Sequence, residues 1–130
     1  WDQMLTAGRR INGIACDDAH FHEADAFGGW VMVKAPALDP DALLEALKAG
    51  HHYASQGPLI HDIRSDGRFV EVDCSPATRV IVQGAADEAR RAAGAAMTTA
   101  RIRISDMGPG LKRVTVIDAA GKRAWSNPLP

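Results

Sequence analysis

"LIHDIRSDGRFVEVDCSPATRVIVQG", residues 59–84, contains three short runs in which apolar and polar side chains alternate. In LIHDIRS, RFVEVDCS and TRVIVQG the repeat is two, the period of a β-strand with one wet face. The turn formers SDG and CSPA separate the runs. The same alternation returns in TTARIRIS (98–105), LKRVTVIDA (111–119) and KRAWSNP (122–128), with MGPG and DAAGK in the gaps. Short strands at this spacing predict an antiparallel β-sandwich over residues 58–130. One stretch resists the pattern. GAADEARRAAGAAM (84–97) is alanine-rich, and reads either as a turn or two of helix or as a mobile connection between strands.

Upstream of Gly57–Pro58 the period changes. In LDPDALLEALKAG (38–50), Asp39 is a natural N-cap and Pro40 takes the first helical position. Leu38 and Leu43 have the spacing of a hydrophobic staple, Leu43, Leu44 and Leu47 form an apolar stripe, and Gly50 closes the helix. GWVMVKA (29–35) reads as a strand. WDQMLTAGRR (1–10) reads as a short helix stopped at Gly8, and INGIAC (11–16) as a buried strand of a parallel sheet. The expected fold class is therefore α+β, with an α/β unit at 1–57 and the sandwich at 58–130.

At the end of INGIAC lies GIACDDAHFHEAD, residues 13–25, which holds two of the chain's five histidines beside several acids. Strand ends of this kind collect ligands and catalytic groups in α/β folds. Imidazole nitrogens and carboxylate oxygens are the donors that hold water-activating divalent metals. In an extended segment Asp18, His20 and His22 share one side and Asp17 faces the other. The alternative is a helix-capping Asp with surface histidines.

Composition narrows the field. The chain has 130 residues, 46% of them hydrophobic, and a formal net charge of −1. That is room for one domain, or a small domain with part of another. A near-neutral balance gives no electrostatic reason to expect nucleic acid or an anionic membrane surface. Cys16 and Cys74 read as reduced, buried thiols, which points to the cytoplasm. The chain opens on Trp1 without a leader and reads as a piece of a longer protein.

Three stretches resemble a known family. WDQMLTAGRRINGIACDDAHFH, GGWVMVKAPALDPDALLEALKAGHHYASQGPLIHDI and AWSNPL look like the C-terminal portion of bacterial PHP-domain (polymerase and histidinol phosphatase type) proteins that carry a β-sandwich after the catalytic barrel. The likeness is strongest at GIACDDAH, GHHYASQGP and AWSNP. It implies that residues 1–57 are the end of a distorted (β/α)7 barrel and that the D-x-H of Asp18 and His20 ligates metal. Zn, Mn or Fe would be the ions, and a phosphoester the substrate class. It does not extend to Asp17 or His22, which would at most assist from behind the ligands or touch substrate.

The family's remaining ligands, an early H-x-H, a mid-barrel acid and further histidines, have no counterpart here. His51 and His52 read as a helix-terminal pair instead. The resemblance thus implies a fragment that needs the upstream barrel half as partner, binds metal weakly or not at all, and is inactive alone. A second function class stays open, a non-catalytic β-sandwich module for binding or assembly. It would self-associate through an edge strand, or use Arg64, Arg79, Arg101 and Arg103 as a face; plain solubilising charge is the other reading of those arginines. Trp125 reads as a core or inter-sheet residue.

Overall fold

The computed structural model describes residues 1–20 and 25–129. It is mostly antiparallel sheet, with helices α1 (Asp2–Thr6) and α2 (Pro40–Lys48) and strands β1 (Trp30–Val33), β2 (His52–Ser55), β3 (Ile60–Ser65), β4 (Phe69–Gln83), β5 (Ala89–Arg103), β6 (Arg113–Ile117) and β7 (Arg123–Ser126). The strands form one sheet in the order β1-β2-β7-β6-β4-β3, with β5 on the other side of β4. The helices occupy the expected places. Asp39 accepts the Ala42 N–H at 3.0 Å, and Gly50, at φ +77°, takes the left-handed turn that a side chain would strain.

Two strands are longer than the alternation suggested. RFVEVDCS and TRVIVQG are a single strand, β4, which pairs with β3 through residues 70–74 and with β6 through residues 79–83. The turn signal CSPA is a bend inside it, marked by register shifts on both sides of Ala77. Proline has no N–H to give a ladder, and bulges are where strands tolerate it. Residues 89–97, expected as helix or connection, are the first half of β5. Pairing along β4 overrides alanine's helical preference.

This bend lets the two halves of the sheet face each other. Val70, Val72 and Cys74 from one end of β4 meet Val80 and Val82 from the other, with Ile102, Ile104, Val114, Val116 and Ala124 closing the core. The valines at 70, 72, 80, 82, 114 and 116 are fully buried. β-Branched side chains suit such a core because they are stiff and fit the pleat.

The N-terminal third departs most from expectation. INGIAC forms no strand, and every strand pairing is antiparallel. Its residues are instead laid over the sheet by polar contacts. Arg113, 7% exposed, grips Asp2 with two bonds of 2.8 and 2.9 Å and also donates to Thr115 Oγ1 and Gln83 Oε1. The Trp1 ring lies 5.1 Å from its guanidinium carbon. Arg10 donates to the Pro128 and Leu129 carbonyls. Trp125 faces outward beneath this segment, beside a hollow it shares with Trp1 and Ile14.

The Asn127 carboxamide ties the segment to the sheet. Its oxygen accepts the Gly13 N–H at 2.9 Å, and its nitrogen donates to the Gly50 and His52 carbonyls at 3.0 and 2.9 Å. Asn127→Ala removes all three bonds at once. We expect a loss of about 2–3 kcal/mol in a urea unfolding experiment, with Asn127→Asp intermediate because it keeps the acceptor.

Candidate functional site

Residues 17–20 and 25–29, the described parts of the connection from the N-terminal segment to β1, hold no helix or strand. Asp17 ties these two parts together. One carboxylate oxygen accepts the Phe27 N–H and the other the Gly29 N–H at 2.6 Å, so both are committed to the backbone. Gly29 also lies close against Ala15, where an added Cβ would sit 3.3 Å from the alanine methyl. Asp17, expected at most to assist a metal site, is the clamp of the loop.

Asp18 and His20 both point outward from that loop and are exposed. Asp18 has φ +55°, a left-handed turn that aspartate tolerates better than most residues. Exposure still alternates here, with Asp18 and His20 exposed and Asp17 and Ala19 half-buried. His20 is anchored by Asp25, a residue the D-x-H pattern did not single out. The Asp25 carboxylate accepts the His20 N–H at 3.0 Å and lies 3.7 Å from its Nδ1. The other carboxylate oxygen, Oδ1, is buried without a hydrogen-bond partner among the described residues. His22 lies outside the described residues.

At 3.7 Å the Asp25 carboxylate is too far from His20 Nδ1 for a hydrogen bond, so it does not fix the ring. Imidazole and carboxylate are both metal-donor types, and His20 and Asp18 are both exposed. Among the described residues, no three His, Cys, Asp or Glu side chains come together as a metal-holding group.

The other histidines are dispersed. His51 and His61 are exposed, and His52 is buried in β2 at 9% exposure. Neither ring nitrogen of His52 has a hydrogen bond of normal geometry. Burial therefore holds its pKa below the ordinary 6.5, and the Gly13 backbone pulls only weakly the other way. Asp2 is also held below its ordinary 3.8, by its hydrogen bonds and charge pairing with Arg113.

Two of the four arginines expected to decorate one face are neutralised. Arg64 pairs with Asp62 and Asp73, and Arg101 pairs with Glu71 while lying over the Phe69 ring at 3.5 Å. Both thiols are free. Cys74 is buried as expected, whereas Cys16 is exposed, because the strand that would have covered it does not form. No helix among the described residues is long and apolar enough to cross a membrane. Comparison with protein-family models, with curated proteins and with solved structures finds no match to the chain.

The buried His52 gives the fold an acid dependence. Above about pH 6.5 the imidazole is neutral in both folded and unfolded chains. As the pH falls below 6.5 the unfolded chain takes up a proton that the folded one resists, so stability drops until the lowered folded pKa is passed. The Asp2–Arg113 pair adds a second loss, as the pH falls from 3.8 through the depressed folded value. Urea midpoints should decline between pH 7.5 and pH 5, and His52→Leu should flatten that decline.

Proposed function

We propose that this chain is the C-terminal portion of a PHP-type metal-dependent hydrolase acting on phosphoesters, inactive by itself. Its N-terminal third is a docking face for the upstream half of the barrel. The observation that carries the reading is where apolar surface is left open. Among the described residues, the large hydrophobic side chains that stay exposed are Trp1, Ile11, Ile14, Phe27, Leu38, Leu44 and Leu47, all within the first 47 residues. Leu38 is 94% exposed, Phe27 84% and Ile14 68%. The expected stripe on α2 buries Ala46 but leaves Leu44 and Leu47 facing out. Large apolar side chains left exposed together in one part of the chain support an interaction site rather than ordinary surface.

Asp18 and His20, oriented by the loop that Asp17 closes, would be two of the ligands to Zn, Mn or Fe. A catalytic zinc takes about three protein ligands and one open position, so the others must come from the partner half. Bound cations of this class supply hydroxide near neutral pH and neutralise charge on a phosphoryl oxygen. Within this chain, Asp25 holds the His20 backbone through its N–H and places a carboxylate 3.7 Å from the ring. The Asp17 clamp fixes the loop ends so that Asp18 and His20 are presented without a search through loop conformers.

A second reading, the non-catalytic assembly module, draws on β5. This 15-residue strand pairs only with β4 among the described residues, leaving one long edge open. Light scattering of the purified chain discriminates, since self-association relieved by Thr98→Pro would favour this reading.

For the first reading, elemental analysis of the purified chain should find metal well below one equivalent, and p-nitrophenyl phosphate should not be turned over. Adding the separately expressed upstream half should restore both. Leu44→Glu combined with Leu38→Glu should leave stability within about 0.5 kcal/mol and abolish the restoration. Stoichiometric metal and robust turnover by the 130 residues alone would overturn the fragment reading.

A further inference from the structure

A hollow lies apart from residues 17–20 and 25–29. It opens between the β1–β2 edge and β3, with a volume of about 790 Å³. That is within the range of pockets that enclose small organic ligands. Its walls are apolar, formed by Met32 and Tyr53 on one side and Ile60 and Ile63 on the other. Tyr53, Ile60 and Ile63 also pack against the core, which makes those walls firm.

The rim has the opposite character. Arg10 and Lys34 stand at the mouth, and neither pairs with a carboxylate among the described residues. Arg10 is held in place by the Pro128 and Leu129 carbonyls, which orient its guanidinium without cancelling its charge. Asp62, the acid at the rim, is already bound by Arg64 at 2.8 Å. The register of β3 against β4 shifts between Ile60 and Asp62, which places His61 in a bulge at the same mouth. Bulges are a device for re-aiming a side chain beside a site.

We propose that this cleft binds a small amphipathic anion. The anionic head pairs with Lys34 and Arg10 at the rim, and the aliphatic or aromatic body lies between the Met32–Tyr53 and Ile60–Ile63 walls. A neutral apolar molecule would gain the walls but leave two cations without a counter-charge, and a cation would be repelled at the mouth. None of residues 17–20 and 25–29 lines the cleft, so this site stands whether or not the metal reading holds.

Titration of isotopically labelled protein with octanoate, followed by NMR, tests the assignment. Saturable shifts are expected at the amides of Met32, Tyr53, Ile60 and Ile63. Lys34→Ala should weaken binding about tenfold and Lys34→Arg should retain it. Lys34 is exposed, so neither change threatens the fold. Equal affinity for octanol or octylammonium would overturn the proposal. So would shifts centred on Leu44 and Leu47, which would mean that the ligand had found the open face of α2 instead.

Discussion

One carboxamide decides how the chain is organised. Asn127 follows β7 directly and meets three backbone groups from segments far apart in sequence: the Gly13 N–H, the Gly50 carbonyl and the His52 carbonyl. A buried or half-buried backbone group without a partner costs free energy comparable to a lost hydrogen bond. Each segment is therefore drawn to the same point. GIACDDAH, GHHYASQGP and AWSNP, far apart in sequence, are the stretches that Asn127 joins.

The sequence reading succeeded where a single local rule governs. Alternation located strands within residues 60–83, 98–103, 113–117 and 123–126, but missed the first half of β5, and the structure joins them in one antiparallel sheet rather than in the expected two-sheet sandwich. The Asp39 cap, Pro40 and Gly50 bounded α2 because capping chemistry acts within a turn or two. It failed where a long-range partner overrides local preference. Pro76 looks like the end of a strand, yet it sits at a bend within β4 that lets one strand serve both halves of the sheet. The alanines of residues 92–96 look helical, yet lie in β5 against β4. INGIAC has a strand's composition, but its backbone bonds to Asn127 rather than to a ladder. Nothing local records that partner.

The candidate site was legible to a similar depth. Clustered acids and histidines marked the 13–25 stretch as unusual, and the structure gives that stretch a closed loop. Which acid does what was not readable. Asp17 and Asp18 are adjacent and chemically identical, and only the fold assigns one to the backbone of residues 27 and 29 and leaves the other exposed. Asp25 was hidden for a different reason. It lies five residues from His20, outside the alternating spacing, and meets the histidine through its backbone N–H, a contact that no residue pattern marks. The Arg113–Asp2 pair, separated by 111 positions, left no mark on the sequence.

The way the N-terminal third is held bears on how it would meet a partner. The sheet has a self-sufficient valine-rich core. The first 20 residues are attached to its outer face chiefly through Arg113, Arg10 and Asn127, and the structure gives them little apolar cover of their own. Hydrogen bonds fix direction, whereas apolar contact is non-directional and scales with area. A segment positioned by the first and left open to the second is set in place before association. Its hydrophobic surface then remains available to drive that association, with little further ordering entropy to lose. That combination would let an incomplete cation site be completed by docking rather than by refolding.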